Sequence, residues 1–303
     1  MALRPDVLAF RNYLRSERGL SLNTLAAYGR DLERYAIWVD ETGTVDPYSP
    51  TLDELQRYVT FLHELRLAAP SVARHLAALR TFYRYLRLEE KTDTVTPGLL
   101  AAPKLWARIP YVLPPEGVDA LLAAPRPQDR FYLRDKALLE TLYATGCRAS
   151  EVIQLKAEDV HLDEAFVKCL GKGDKERLVP LGRPAVAALR AYLGESRDAP
   201  LPVARRKQPT EYVFLTRSGK RVSRILVWEL VKKYCKRAGL SPDASPHTLR
   251  HSFATHMLAN GMDVRAVQEL LGHASIRTTQ HYTHVDASRL KAIHTKFHPR
   301  AVE

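Results

Sequence analysis

Apolar residues recur at three- and four-residue spacing through the first ninety or so positions. Leu25, Tyr28, Leu32 and Tyr35 share one face of a segment that begins at Ser21-Leu-Asn-Thr24, where side-chain oxygens can cap a helix. Thr51 opens a second such segment, with Leu55, Tyr58, Val59 and Leu62 on one face. Pro70-Ser71 opens a third, through Val72, Leu76, Leu79, Phe82, Tyr83 and Leu86. The pattern predicts that residues 1–95 are helical throughout. Five prolines follow, at 97, 103, 110, 114 and 115. Proline removes a backbone donor and disfavours helix, so an extended linker is expected over 96–112, with the domain boundary near residue 108.

The second half, 113–303, is mixed. Helices are predicted over 116–124, 129–144, 183–195, 223–238, 246–259 and 263–271, with Gly239, Gly261 and Gly272 just past three of them. Between them, Phe166, Val167 and Leu170 lead into Gly171-Lys-Gly-Asp174 and then Arg177-Leu-Val-Pro-Leu181, a β-hairpin signal. A last short helix is expected over 286–297, with Ala287, Leu290, Ile293 and Phe297 as its apolar stripe. The fold class is therefore mainly α with a small β-sheet or hairpin in the C-terminal domain.

Composition narrows the function. The chain has 303 residues, 46% of them hydrophobic, enough for two real cores. Lys and Arg number 46 against 34 Asp and Glu, a formal net charge of +12, which suggests a polyanionic partner. The third N-terminal helix carries Arg74, Arg80, Arg84 and Arg87, and Arg217, Lys220 and Arg221 cluster later; these are candidate DNA contacts. The three cysteines, Cys147, Cys169 and Cys235, form no CxxC pair and argue against a disulfide framework. No secretory signal and no transmembrane segment is read from the sequence, so a cytoplasmic protein without a membrane partner is expected.

The residues that can do chemistry are spread widely. His247 and Arg250 sit one turn apart at the start of a helix that Ser245 can cap and Pro246 can open. A guanidinium near Leu249, Phe253, Ala254 and Met257 needs a partner. Arg148 ends an apolar helix, with Glu151 placed to orient it. Lys172 and Lys175 occupy the hairpin turn, His273 follows Leu270-Leu271-Gly272, and Tyr282 lies in a polar stretch. A zinc hydrolase built on His247 and His251, with His273, His281 and His284, is a rival reading. It lacks an HExxH motif and a carboxylate cluster for the remaining ligands. A DNA-binding regulator without chemistry is a second rival; it leaves the ordered set unexplained.

That order, Arg148, Lys172, His247, Arg250, His273 and Tyr282, resembles the tyrosine recombinase family, and the likeness covers essentially the whole chain. Arg18-Gly-Leu-Ser-Leu-Asn-Thr24 followed by Tyr28-Gly-Arg-Asp-Leu32 looks like the start of Xer-type members. Gly171 to Leu181 looks like their hairpin, and His298-Pro-Arg-Ala301 is similar to their ending. The resemblance implies a two-domain architecture. A helical SAM-like DNA-binding domain would span 1–95, and a catalytic domain 113–303. It implies that Tyr282 attacks a DNA phosphate and that Arg148 and Arg250 bind its non-bridging oxygens. Lys172 would protonate the leaving oxygen, His247 would assist proton transfer, and His273 would hydrogen-bond the phosphate. It implies no metal and no other cofactor. Its implied partners are a duplex recombination site and a homo- or heterotetramer on two paired sites, with a second Xer-type recombinase and a DNA translocase as further candidates. Within that tetramer the helix over 286–297 would dock into a neighbouring subunit. Chromosome-dimer resolution is the implied event, with a plasmid, phage or integron integrase as the alternative.

Overall fold

The computed structural model describes residues 3–18, 20–43, 45–101, 111–171, 176–196, 210–272 and 284–300, with the side chains of 196 and 284–290 left aside. The chain separates into two compact units, Met1–Arg108 and Ile109–Glu303.

The first unit is helical: α1 (Arg4–Ser16), α2 (Leu22–Thr42), α3 (Leu52–Glu64), α4 (Ala69–Leu88) and the single turn α5 (Thr96–Leu99). Ser21 caps α2, its hydroxyl accepting from the Thr24 amide at 3.3 Å. Thr51 and Glu54 cap α3 reciprocally. The predicted apolar faces meet in one core, where Leu55, Leu62, Leu76, Phe82 and Leu86 are fully buried. Tyr35, Tyr58 and Tyr83 lie within it, and the Tyr35 and Tyr83 hydroxyls bond to each other at 3.0 Å. The prolines mislead at one point. Pro97 sits in the first turn of α5, where a missing N–H costs nothing, and it is buried rather than extended. Leu100 beside it joins the core of this unit.

The second unit packs helices around α7 (Tyr132–Thr145), nearly every residue of which is buried. Around it lie α6 (Pro115–Ala123), α8 (Ala149–Val152), α9 (Arg183–Ala191), α10 (Arg224–Arg237), α11 (Pro246–Ala259), α12 (Val264–Leu271) and α13 (His284–Phe297). A three-stranded antiparallel sheet completes it, in the order β1 (Val160–His161), β2 (Phe166–Leu170), β3 (Glu176–Pro180). The β2–β3 hairpin appears as expected, in the register Phe166 to Pro180 and Cys169 to Arg177. The two-residue β1 is too short to leave a period-two signal in the sequence.

Within the single chain, the described end of the C-terminal helix lies against its own unit. Ile293 and Phe297 pack against the core of their own unit. Asn260 donates to the Phe297 carbonyl at 2.7 Å, and His294 contacts the Ala144 carbonyl at 3.1 Å. Arg300 then bridges Asp119 and Glu140 at 2.8 and 3.1 Å. Of the expected apolar stripe, Ile293 and Phe297 are thus covered by the core of their own unit in the single chain.

Gly146, between α7 and α8, sets how closely the elements of the site approach. Its φ is +56°, a left-handed conformation that favours glycine. An added Cβ would lie 2.5 Å from Phe253 Cδ1 and 2.9 Å from Leu271 Cδ2. Replacing Gly146 with Ala combines overpacking with a strained backbone. It is expected to cost about 3 kcal/mol, read as a lowered urea midpoint at unchanged slope. A variant as stable as the parent would show that α11 and α12 can retreat freely.

Candidate active site

Glu151 stands at the centre of the second unit's charged cluster. It lies in the short α8 and is 7% exposed. Arg148 donates to it twice, from the backbone amide at 2.9 Å and from the guanidinium at 2.7 Å. Arg177 donates from β3 at 2.8 Å, and the Arg250 guanidinium comes within 4.0 Å from α11. Three elements therefore deliver arginines to one carboxylate.

The balance of charge is lopsided. Three guanidiniums face a single carboxylate, so two positive charges are left for neutral groups to accommodate. Arg250 uses backbone oxygens, donating to the carbonyls of Gly146 and Leu271 at 2.8 Å each. These are the partners that its apolar helix requires. Burial, and then the repulsion from Arg148, push the Arg250 pKa down to about 10. Burial alone would raise the Glu151 carboxyl; its bonds to Arg177 and Arg148 outweigh that and hold it below its ordinary value. Arg148 remains partly exposed, with 38% of its side chain open to solvent. A cluster with surplus positive charge, one member of it reachable, is built to receive an anion. Planar guanidiniums suit the oxygens of a phosphate.

His247 belongs to the first turn of α11 and is exposed, while Arg250 one turn on is buried. Ser245 caps this helix, accepting from the Thr248 amide at 3.4 Å, and Pro246 opens it, both as the sequence predicts. The structure thus gathers Arg148 and Arg250 about Glu151 and sets His247 on the helix that carries Arg250. Lys172, His273 and Tyr282 lie outside the described residues, as does Lys175.

Comparison with known proteins now adds to the geometry. Residues 111–289 match the Phage integrase family, and residues 7–90 match the Phage integrase, N-terminal SAM-like domain. A tyrosine recombinase XerD of Halalkalibacterium halodurans is 43% identical over 293 residues, covering 96% of this chain and 97% of the relative. A tyrosine recombinase XerD of Chlorobaculum tepidum is also 43% identical, over 301 residues, with 98% and 97% covered. The chain belongs to the phage integrase family and is a Xer-type tyrosine recombinase. Its fold is shared with a crystal structure of XerH site-specific recombinase bound to palindromic difH substrate. That match has a TM-score of 0.69 at 23% identity, covering 92% of this chain and 81% of the other.

In this recombinase the candidate DNA contacts divide into two groups. Arg74 is paired in bidentate fashion with buried Asp31, at 2.7 and 3.0 Å, and Arg80 donates to the Leu100 carbonyl. Both guanidiniums thus have partners within the first unit, and Arg74 is nonetheless exposed, with 43% of its side chain open to solvent. Asp31 and the backbone around Leu100 would otherwise lack those donors. Arg84 is exposed. Arg217, Lys220 and Arg221 are exposed too, on a tight turn where the Arg221 guanidinium lies 4.9 Å from the centre of the Tyr212 ring.

Arg177 is the site residue that sequence reasoning missed. It was read only as part of a strand. Its signal was available in the alternation: Arg177 and Val179 share the buried face of β3, while Glu176 is exposed. An arginine at an inward strand position needs a buried acceptor, and Glu151 supplies it. Its Nε also donates to the Leu270 carbonyl at 2.9 Å, which ties the strand to α12.

The sign of the acid response follows from Glu151. Its folded pKa is below the ordinary 4.5. It therefore adds stability above about pH 4.5, and that stability is lost as pH falls through the lower folded value. Arg177→Ala is expected to cost about 3 kcal/mol at pH 7, as loss of one partner of a buried pair does. It should also flatten the pH dependence of the urea midpoint below pH 4.5. An unchanged acid limb in the variant would mean that Arg177 does not hold the carboxylate.

Proposed function

We propose that this recombinase cuts and rejoins duplex DNA through a covalent link between Tyr282 and a 3′ phosphate. The Tyr282 oxygen attacks phosphorus, the bond to the 5′ oxygen breaks, and Lys172 protonates that oxygen as it leaves. His247 takes up or returns the tyrosine proton, and His273 hydrogen-bonds the phosphate. Arg148 and Arg250 hold the non-bridging oxygens and stabilise the charge that grows on them in the transition state. Religation reverses these steps on another strand's 5′ hydroxyl. The phosphotyrosyl bond conserves the energy of the phosphodiester, so nothing need be hydrolysed.

The observation that carries this reading is the convergence of Arg148, Arg177 and Arg250 on Glu151, with positive charge in excess. A DNA phosphate would supply the negative charge that the cluster lacks. Exposed Arg84, Arg217, Lys220 and Arg221 are proposed as phosphate contacts beyond the site; such contacts make affinity fall steeply with salt. On this reading residues 1–95 form a DNA-binding domain and 113–303 the catalytic domain. We further propose a tetramer on two paired sites in the cytoplasm. A second Xer-type recombinase and a DNA translocase would be its partners and chromosome-dimer resolution its task. Mapping the genomic site to which the protein becomes attached tests that role against plasmid, phage or integron integration.

Tyr282→Phe should form no denaturant-resistant DNA adduct and bind its site nearly as the parent does. Arg148→Ala and Arg250→Ala should each slow adduct formation by about 10²–10³-fold. Covalent adducts with the Tyr282→Phe protein would remove Tyr282 as nucleophile. A substrate with sulfur at the 5′ bridging position separates the lysines, because a thiolate leaves without a proton. Cleavage of that substrate should be restored in Lys172→Ala. Restoration in Lys175→Ala alone would transfer the acid's role to Lys175.

A further inference from the structure

Two thiols that this chemistry does not use lie against the arginine cluster. Cys147 Sγ and Cys169 Sγ are 3.0 Å apart, and the residues are 1% and 4% exposed. Neither is in a disulfide. Each is covalently next to, or paired with, an arginine of the site. Cys147 directly precedes Arg148, and Cys169 faces Arg177 across the β2–β3 ladder. The Arg177 guanidinium also reaches the Cys147 sulfur at 3.5 Å. Sequence gave no hint of this meeting, because the two cysteines are 22 positions apart and follow no redox or metal spacing.

We propose that Cys147 and Cys169 are a redox modification site, which a hydroperoxide converts to a disulfide and a dithiol converts back, slowing DNA cleavage while the bond persists. The closure required is small. The sulfurs need to approach by about 1 Å to reach bonding distance near 2.05 Å. The thiol bond from Cys169 holds the Cys147 thiol below its ordinary value against the opposing effect of burial, and Arg177 contributes in the same direction. The Arg177 guanidinium 3.5 Å from the Cys147 sulfur favours a thiolate there, which makes Cys147 the attacking sulfur. Its thiolate takes the terminal oxygen of the hydroperoxide, breaking the O–O bond and releasing an alcohol or water after protonation. The resulting sulfenic acid is attacked by the Cys169 sulfur; an S–S bond forms and water leaves. Both electrons pass from the two sulfurs to the peroxide. A dithiol returns them by exchange.

Burial governs the rate rather than the outcome. Enclosed thiols meet a peroxide only during local opening, so the pair responds to sustained oxidant rather than to a brief pulse. Once formed, the bond fastens the backbone that carries Arg148 to the strand opposite Arg177. A displacement of about 1 Å in such positioning groups can cost about 100-fold in rate. The effect on rate rests on the cleavage chemistry proposed above, whereas formation of the bond does not.

The test uses the full-length protein, with hydrogen peroxide as the oxidant. Digestion after alkylation should yield a Cys147–Cys169 linked peptide two hydrogens lighter than the reduced pair. Adduct formation should fall by about tenfold or more and recover with dithiothreitol. Cys169→Ala should keep its activity under the same peroxide, while Cys235→Ser should lose activity as the parent does. Absence of the linked peptide overturns the proposal whatever the activity does. A linked protein that cleaves as fast as the dithiol form overturns the regulatory part. So does equal inactivation of Cys169→Ala, which would place the damage elsewhere. If Cys169→Ala does not fold, recovery of the linked parent with dithiothreitol decides alone.

Discussion

A buried carboxylate shared among three arginines is the constraint on which the second unit depends. Glu151 is too deeply enclosed to be charged alone, and Arg177 is too deeply enclosed to lack a counter-ion. Each makes the other tolerable, and Arg148 and Arg250 are drawn to the same point. The strand, the short helix α8 and the long helix α11 are thereby fixed relative to one another within this unit by electrostatics as much as by packing. The surplus of positive charge that results costs stability in the free protein and favours an anionic ligand.

Backbone carbonyls do much of the remaining work. Gly146 and Leu271 present their oxygens to Arg250, and Leu270 presents its own to Arg177. Two of these come from the end of α12, where carbonyls lack helical partners and the dipole is negative. Gly272 closes that helix in a left-handed conformation, and an added Cβ would stand 3.1 Å from the Arg177 side chain. Gly272 thus leaves room for the Arg177 side chain beside the Leu270 carbonyl, while Gly146 leaves room for Phe253 and Leu271 to close over the loop whose carbonyl Arg250 holds.

The sequence was most readable where the signal is local. Helical periodicity, the Ser21, Thr51 and Ser245 caps, and the β2–β3 hairpin all depend on neighbours in the chain. The partnership of Arg148 with Glu151 was legible for the same reason, at three residues' separation. The failures are non-local. The inward aim of Arg177 depends on what lies behind the strand. The engagement of Arg74 with Asp31 joins residues 43 positions apart. Pro97 was read as a breaker because its burial against the first core has no counterpart in its immediate neighbours.

The bonds that make the cluster span long stretches of chain. Arg250 reaches Gly146 across 104 positions, and Arg177 reaches Leu270 across 93. Synthesis runs from the N-terminus, so a chain that has emerged only as far as β3 has two of the arginines and none of the framework from α11 and α12. Loop closure over such distances also makes these contacts slow to form compared with the local caps. The site is therefore a late product of folding: a copy made only as far as β3 has Glu151, Arg148 and Arg177 but not the enclosure that α11 and α12 complete.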